Sequence, residues 1–540
     1  MSQRKPLIIG APALALIATL LTAFPVKVSA AVDASSSPYK RPQLVLSIMV
    51  DGLRSDYLEL LSNHFGPDGF NLLLRDGVTL EEVEFGPGVD AAGAVAMIYT
   101  GAAPSVNGIA LADVYSTERK ITQPSLFDST KIGNYTDETL SPAALKVSTL
   151  SDEIRIDGGG AAYSHAIAPD AARAILMGGH AGNSAFWVNS INGQWATTTH
   201  YRDVPTSVTA RNFTRPLSSR IDTVLWAPSM DVSLYPGLPA HKRHYPFRHT
   251  FSGSAPEKYR RFKTAAPVNV EITDLALDYL NEMKLGKRDA MDMLSVAYTL
   301  TPYSGSTDTD ARLETMDAYL KLDRQIARLL KAADGETTVV ILGGTPADPA
   351  KDPDDPQWGL PGGEFSAKKA MSLLNMYLIA KLGNGEWVTA YNNGAFYLNH
   401  RLIGEKRLEP EEVRTEAAKF LTRMSGVAGA FTIDDILEGR TSEALRRNTV
   451  VGNAADVYVQ VTPGWTLTDD TTPTPVRQVV RYAHSTAPVI IYAPQLLESA
   501  RISTPVDARR VAPTVARVLR IRSPNAASEP PINLKIKNTK

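Results

Sequence analysis

The sequence predicts an α/β fold with a mostly parallel, doubly wound sheet and helices on both faces. Residues Gln43–Val50 form a nearly continuous apolar run of strand length, which is typical of a central strand buried on both faces. Met293–Thr299 and Thr338–Leu342 are runs of the same kind, and an amphipathic helix over Arg312–Lys331 separates them. Strands that alternate with helices at both ends of the chain indicate one such sheet.

The other predicted elements follow the same alternation. The first strand precedes two helices, over Ser55–Leu61 and Gly69–Arg75, and a late strand over Pro488–Tyr492 precedes a helix over Asp507–Leu519. Asp51 stands directly after the first strand. Open α/β sheets bind their ligands at the carboxyl ends of their strands, so Asp51 is a candidate site residue.

Composition excludes several classes of function. The chain of 540 residues contains no cysteine, which excludes disulfides, thiolate zinc sites, iron–sulfur clusters, a catalytic thiol and a lipidated amino terminus. With 57 acidic and 56 basic residues the formal net charge is −1. A nearly neutral chain offers no electrostatic footprint for nucleic acid or an anionic membrane, and we predict no nucleic-acid partner.

Residues 1–30 have the pattern of a signal peptide. Arg4 and Lys5 supply the positive end, Leu7–Phe24 is apolar, and Val28–Ala30 offers small residues for cleavage. The alternative is an uncleaved anchor, since the apolar run approaches spanning length. We predict cleavage and export to a bacterial periplasm, with no membrane span in the mature chain.

The remaining residues, 31–540, are interpreted as one domain with two insertions that cap the sheet. The first insertion, about 105–270, is rich in Gly, Pro, Thr and Asn and contains short strand-like pieces with aromatic residues. The second, about 345–465, mixes a Pro/Asp loop with helices and short strands.

Several segments, in the same order along the chain, resemble the alkaline phosphatase superfamily, and in particular bacterial Thr-nucleophile zinc phosphomonoesterases of type I phosphodiesterase and nucleotide pyrophosphatase type. The matching segments are Val50–Leu58, Ile98–Gly101, Pro104–Ile109, Gly179–Asn183, Phe186–Trp187, Gly193–Trp195, Tyr397–Asn399 and Ala512–Thr514. The resemblance implies an alkaline-phosphatase-like fold. It also implies a Thr or Ser nucleophile, two zinc ions held by three Asp and three His, and polar groups that hold the phosphoryl oxygens.

Most of the metal ligands that this resemblance implies are missing. Asp51 matches the first ligand, and His484 matches the last. The family pattern Asp-Tyr-x-Gly-His corresponds to Pro302–Ser306, which keeps the Tyr and the Gly but neither ligand. The pattern Thr-Ala-Asp-His-Gly corresponds to the end of the third strand, where Gly343–Pro346 has no Asp or His.

The nucleophile and the phosphate-holding groups are also missing. The attacking position aligns with Ala91 or, after a shift of one residue, with Asp90, and neither has a hydroxyl. An expected Asn is Ala112, and of an expected Lys-x-Arg pair only Arg173 keeps a positive charge. Two of seven positions, counting the nucleophile with the metal ligands, keep a suitable residue.

We therefore predict a pseudoenzyme that needs no cofactor and binds an envelope protein or a ligand. Asp51 is then a structural carboxylate, and His484 is a packing residue. The alternative is an active metal-dependent phosphoesterase or phosphodiesterase with zinc in a rebuilt site, whose replacement ligands would be Asp90, Asp308, Asp310 or Asp348. A third possibility is that the emptied cleft binds a glycan or peptide by stacking on Trp187, Trp195 or Trp226, residues that would serve equally well as core of the cap.

Overall fold

The central sheet is arranged around the apolar run at residue 44. The computed structural model describes residues 41–238, 246–304, 311–333, 337–346, 362–471, 476–480 and 486–537. The predicted signal peptide and His484 lie outside these ranges. So do Asp308, Asp310 and Asp348, three of the four replacement ligands considered above.

The elements are as follows. The strands are β1 (Leu44–Asp51), β2 (Val78–Glu84), β3 (Asp113–Ser116), β4 (Ile121–Pro124), β5 (Gly133–Asn134), β6 (Ser164–Ala168), β7 (Ser184–Val188), β8 (Trp195–Thr198), β9 (Leu225–Trp226), β10 (His249–Thr250), β11 (Asp292–Thr299), β12 (Thr338–Gly344), β13 (Glu364–Ser366), β14 (Val388–Asn392), β15 (Ala395–Leu398), β16 (Val427–Thr432), β17 (Val457–Val461), β18 (Thr466–Asp469), β19 (Val476–Val479), β20 (Thr486–Tyr492), β21 (Ala500–Ile502) and β22 (Val506–Asp507). The α-helices are α1 (Ser55–Leu60), α2 (Phe70–Asp76), α3 (Ala91–Thr100), α4 (Pro104–Asn107), α5 (Leu150–Asp157), α6 (Ala171–Gly178), α7 (Thr206–Thr209), α8 (Glu257–Lys263), α9 (Val268–Glu282), α10 (Arg312–Ala332), α11 (Ala367–Leu382), α12 (His400–Glu405), α13 (Pro410–Leu421), α14 (Ile433–Leu437), α15 (Glu443–Asn448) and α16 (Val511–Leu519). A π-helix spans Ala210–Thr214, and 3-10 turns span Ser62–His64, Pro142–Ala144, Leu217–Ser219, Ile221–Thr223, Val232–Leu234, Val451–Asn453 and Ala508–Arg510.

The predicted fold class is confirmed. The central sheet has the strand order β21-β2-β20-β12-β1-β11-β6-β7-β8-β5, with β22 also paired to β2. The strands from β12 through β1, β11 and β6 to β7 are all parallel, whereas β20 and β8 run antiparallel to their neighbours. The sheet is therefore mostly parallel in its centre, as the buried apolar runs indicate.

Both faces of the sheet are covered by helices because the side chains of β1 alternate between two hydrophobic cores. Val45 and Met49 belong to the core that contains side chains of α3, α5, α6 and α16. Leu46 and Ile48 belong to the core that contains α1, α2, α9 and α10. This alternation has the period of two that a strand requires.

The expected insertion over about 105–270 needs a correction. Strands β5, β6, β7 and β8 lie within this range, and all of them belong to the central sheet. They are difficult to recognise in the sequence for two reasons. Their surroundings are rich in Gly, Asn and Thr, and β6 and β7 are only five residues long. The hairpin β3–β4 and the short pair β9–β10 lie outside that sheet.

The stretch of about 345–465 has a core of its own. Strands β14, β15, β17 and β16 form a separate sheet in that order. Their buried side chains pack with those of α11, α12 and α13 in a hydrophobic cluster distinct from the two cores of the central sheet. Across the described ranges, no helix has the length and apolar character needed to cross a bilayer.

A buried carboxylate ties this smaller sheet to its helices. Asp456 accepts a hydrogen bond from the backbone N–H of Leu398 at 2.7 Å, and its other oxygen lies 2.9 Å from Nε2 of His400 and 3.5 Å from Nη1 of Arg414. The hydrogen bond to Asp456 raises the pKa of the His400 imidazole above its ordinary value, although partial burial opposes the charge.

We expect this pair to make stability depend on pH. The pKa of His400 is higher in the folded protein than in the unfolded chain, where it is about 6.5. The stabilisation is therefore complete at pH values below about 6.5 and disappears as the pH rises through the pKa of the folded protein. Urea unfolding at pH 6 and pH 8 should show a free-energy difference that is reduced in H400Q. The effect will be modest because half of the His400 side chain is exposed. The matched control is H64Q, because His64 is also exposed. An equal reduction of the free-energy difference in both variants would contradict the assignment of the pH dependence to the His400–Asp456 pair.

Candidate functional site

The candidate site lies at the edge where four adjacent parallel strands end. Strands β12, β1, β11 and β6 are neighbours in the sheet and run in one direction. The residues that follow them are therefore brought to one edge, although they are far apart in the sequence. Asp51 ends β1, Thr345 follows β12, and Asp170 follows β6.

Asp51 is held by groups of the protein itself. The Thr345 hydroxyl donates a hydrogen bond to Oδ1 of Asp51 at 2.7 Å, and Nη1 of Arg173 lies 3.9 Å from Oδ2. The Asp51 side chain remains 27% exposed, whereas Thr345 is completely buried. Because it is completely buried, the Thr345 hydroxyl is not positioned to attack a substrate.

Arg173 joins the ends of three strands. It lies on α6, whose first turn is capped by Asp170: Oδ1 accepts the backbone N–H of Arg173, and Oδ2 is 2.5 Å from its Nε. Nη1 also donates to the carbonyl of Tyr298 on β11 at 3.1 Å. Burial lowers the pKa of the Arg173 guanidinium, but the nearby carboxylates of Asp170, Asp51 and Asp90 outweigh burial and raise it overall.

Asp90 caps the helix that begins at the expected nucleophile position. Its Oδ1 accepts the backbone N–H groups of Ala92 at 2.8 Å and Gly93 at 3.1 Å, and its Oδ2 accepts that of Ala112 at 2.7 Å. The acceptor Oδ1 satisfies two N–H groups that a helix start leaves unpaired. Ala91 is the first residue of α3. Burial raises the pKa of Asp90, although the three hydrogen bonds favour its charged form.

A second cation, Lys263, belongs to the same charged cluster. It is the last residue of α8, and its ammonium donates to the Ser190 hydroxyl at 2.9 Å. Burial lowers the pKa of Lys263, whereas the nearby carboxylates of Asp170 and Glu138 raise it. The sequence does not distinguish Lys263 from a solvated lysine, because it lies in a basic segment with Lys258, Arg260 and Arg261.

The residues that the structure describes do not fit a zinc site. No group of three or more His, Cys, Asp or Glu side chains in the described ranges is arranged to hold a metal ion. The charge of Asp51 is met by a guanidinium and a hydroxyl, and both oxygens of Asp90 are occupied by backbone N–H groups. Tetrahedral zinc sites need three or four N, S or O ligands directed at one point.

The structure brings together three of the sequence-predicted residues, Asp51, Asp90 and Arg173. Two nitrogens of Arg173 are directed at groups of the chain, Nε at Asp170 and Nη1 at a backbone carbonyl, and its predicted phosphate-holding role stays a prediction. The stacking role considered for the tryptophans is wrong: Trp187 and Trp226 have no exposed surface, and Trp195 is 4% exposed. They are core residues, as their contacts with both sheet cores show.

Comparison with solved structures defines the class of protein. The crystal structure of alkaline phosphatase PafA matches with a TM-score of 0.75 at 22% sequence identity, and the match covers 92% of this chain and 99% of PafA. The fold is therefore that of the alkaline phosphatase superfamily. The predicted resemblance to this superfamily is confirmed by sequence as well, through the family model and the alkaline phosphatases PafA and PhoV.

Sequence comparison then defines the family. The model of the family "Type I phosphodiesterase / nucleotide pyrophosphatase" matches residues 45–486, and the chain belongs to that family. It is 25% identical to alkaline phosphatase PafA of Elizabethkingia meningoseptica over 91% of this chain and 94% of that protein. It is 27% identical to a protein of Myroides odoratus named calcium-transporting ATPase, over 95% and 98% of the two chains.

We expect Asp90 to act chiefly as a helix cap. D90A leaves three backbone N–H groups without their acceptor and should lower the free energy of unfolding by about 2 kcal/mol. D90T should lose clearly less, because a threonine hydroxyl also caps helices. Urea unfolding followed by circular dichroism measures both variants. An equal loss in D90A and D90T would show that capping is not the function of this carboxylate.

We expect Arg173 to neutralise Asp51 and Asp170. R173M keeps the length of the side chain but removes the charge, and should cost about 3 kcal/mol at pH 7 because it leaves partly buried carboxylates unpaired. The pKa of Asp170 is lowered by Arg173 against the effect of burial. The stabilisation is therefore present at pH values above the pKa of an aspartate in the unfolded chain, about 3.9, and is lost as the pH falls through the lower pKa of Asp170 in the folded protein.

The test compares unfolding free energies at pH 7 and pH 4. The difference between wild type and R173M should be largest at pH 7, and R173K should recover part of it. A loss that is the same at both pH values would assign Arg173 a packing role only.

Proposed function

We propose that this protein is a non-catalytic member of its family, a pseudophosphatase that is exported to the periplasm and acts by binding a partner protein or a ligand. The observation that carries the proposal is the state of Asp51. Its carboxylate is paired with Arg173 and Thr345, two side chains of the chain itself. In the proposal the guanidinium supplies the positive charge at this edge of the sheet, and no metal is needed.

The nucleophile position supports the same conclusion. Transfer of a phosphoryl group in this chemistry needs an activated hydroxyl, and metal ions supply much of the remaining rate. Asp90 has no hydroxyl and its oxygens are engaged by α3 and Ala112. Loss of the nucleophile alone commonly costs several powers of ten in rate, so the proposed protein retains negligible hydrolysis.

Export rests on the sequence of residues 1–30. A basic start, an apolar stretch and the small residues at Val28–Ala30 are the features that a signal peptidase recognises. Mass spectrometry of the protein from a periplasmic fraction should give a chain that begins at residue 31. A full-length chain found with the membranes would contradict this part of the proposal.

The activity test uses the mature protein, p-nitrophenyl phosphate and added zinc. We expect the same rate as in the double variant D51A/H484A, because that variant removes both metal-ligand positions that the chain retains. A second preparation, D90T, restores a hydroxyl at the helix start and should also remain inactive, since Pro302 and Thr345 still occupy ligand positions. A rate clearly above that of D51A/H484A would overturn the proposal.

A working phosphoesterase is the alternative, and the relatives favour it. PafA of Elizabethkingia meningoseptica and PhoV of Synechococcus elongatus are both named alkaline phosphatases, each 25% identical to this chain. A rebuilt site would bind at least one transition metal per chain. Elemental analysis after purification without chelators distinguishes the two: a stoichiometric metal supports the enzyme, and its absence supports the pseudophosphatase.

A further inference from the structure

Four asparagines of the chain are followed directly by glycine: Asn107–Gly108, Asn192–Gly193, Asn384–Gly385 and Asn393–Gly394. In such a pair the backbone nitrogen of the glycine can attack Cγ of the asparagine side chain, because glycine has no Cβ to hinder the approach. The attack requires a free side-chain amide, a free glycine N–H and a backbone that can rotate between them. The structure separates the four pairs by these requirements.

The first pair is protected by burial and by hydrogen bonds. Asn107 is completely buried, and its Nδ2 donates a hydrogen bond to the Ala102 carbonyl at 2.8 Å. The N–H of Gly108 donates to the Pro104 carbonyl at 2.8 Å. Both reacting groups are therefore occupied, and breaking either hydrogen bond would leave a buried polar group without a partner.

The second pair lies on the surface but is also held. Asn192 is exposed, and its Oδ1 accepts a hydrogen bond from the backbone N–H of Gln194 at 2.9 Å. The N–H of Gly193 donates to the Asn189 carbonyl at 3.0 Å. The nucleophilic nitrogen and the side chain that it would attack are thus fixed in other contacts.

The fourth pair forms the tight turn between β14 and β15. Asn393 has φ +47° and Gly394 has φ +82°, and the flanking residues Asn392 and Ala395 pair with each other. Two successive residues with positive φ are typical of a type I′ hairpin turn. Strand pairing on both sides holds this backbone, so the rotation that cyclisation requires would have to open the hairpin.

The third pair meets all the requirements. Asn384 and Gly385 lie in the loop between α11 and β14, and Asn384 is exposed. Within the described ranges, neither the Asn384 side chain nor the Gly385 N–H has a hydrogen-bond partner. A Cβ at Gly385 would overlap the side chain of Leu402, so the loop accommodates only glycine at this position.

We propose that Asn384 is a site of spontaneous conversion to aspartate and isoaspartate. The Gly385 nitrogen forms a bond to Cγ of Asn384 and gives up its proton, and the bond from Cγ to the side-chain nitrogen breaks, so that ammonia leaves. Water then opens the resulting succinimide at one of its two carbonyl carbons. Both products carry a new carboxylate, and the reaction needs no group of the cluster around Asp51.

The new carboxylate would arise beside a cation. Nζ of Lys406 lies 3.8 Å from the position that a Cβ on Gly383 would occupy, and Lys406 has no ion pair among the described residues. An ion pair at this exposed place is worth little, but its sign favours the charged product. The conversion therefore places a negative charge where the loop of the unconverted protein is neutral.

Isoaspartate would also lengthen the backbone between two fixed points. Nε1 of Trp387 donates to the Gly383 carbonyl at 2.9 Å, and Nδ2 of Asn399 donates to the Glu386 carbonyl at 2.8 Å. These hydrogen bonds hold the loop on either side of the reacting pair. The additional backbone carbon of isoaspartate has to be accommodated between them.

The experiment is incubation of the mature protein at pH 8, followed by peptide mapping with mass spectrometry that separates aspartate from isoaspartate. We expect Asn384 to convert at least fivefold faster than Asn107, Asn192 or Asn393. The same incubation in guanidinium chloride removes the structure, and all four asparagines should then convert at similar rates.

Two variants locate the reaction. N384Q should show no conversion at this residue, because glutamine would have to close a larger ring. The matched control N393Q should leave the conversion of Asn384 unchanged. Circular dichroism shows whether both variants are folded.

Either of two results overturns the proposal. In the folded protein another of the four asparagines converts as fast as Asn384, or Asn384 converts at least tenfold more slowly in the folded protein than in guanidinium chloride. The second result would mean that the fold protects this loop as well.

Discussion

The guanidinium of Arg173 is the group on which the arrangement at the sheet edge depends. Parallel strands end together, and here they bring Asp51 and Asp170 to one place, with the Asp90 cap of α3 close by. Carboxylates that are partly removed from water need a cation or hydrogen-bond donors. Arg173 meets that need from within the chain, with Nε on Asp170 and Nη1 on the Tyr298 carbonyl, 3.9 Å from Asp51.

The scaffold and the reactive centre impose separate demands on the sequence. The scaffold requires apolar strands, alternating cores and helix caps, and the chain meets all of these with a fold like that of PafA. The centre requires particular atoms directed at one point. Pro302 and Thr345 stand at strand ends where the scaffold accepts them, and neither side chain is a carboxylate or an imidazole. A fold can therefore persist while the residues around its strand ends change.

The region between β2 and β11 contributes both to the central sheet and to the charged cluster at its edge. It supplies the strands β6, β7 and β8 to the sheet, and it also supplies Asp170, Arg173 and Lys263 to the charged cluster. Lys263 on α8 donates to Ser190 in the β7–β8 turn, and Tyr259, one turn earlier on the same helix, packs against Gly193 of that turn. Residues four apart lie on one face of a helix, so both side chains contact the β7–β8 turn from the same face of α8.

How much the sequence predicts depends on the distance over which the responsible forces act. The long apolar runs indicate β1, β11 and β12, and the structure has them at Leu44–Asp51, Asp292–Thr299 and Thr338–Gly344. The short strands β6 and β7 were not predicted. Each has five buried residues between loops, which is too short to show a hydrophobic periodicity that distinguishes a strand from a turn. The position of Asp51 at a strand end was predictable, because the long apolar run of β1 ends at this residue.

The sequence by itself determined the α/β class, the strand that carries Asp51 and the absence of a hydroxyl at residues 90 and 91, since these depend on residue types and nearest neighbours along the chain. Only the tertiary structure decided that Thr345 and Arg173 hold Asp51, that Asp90 also binds Ala112, and that Lys263 joins the cluster. These contacts join residues from 22 to 294 positions apart, and such pairings arise only when the sheet order brings separate segments to the same edge.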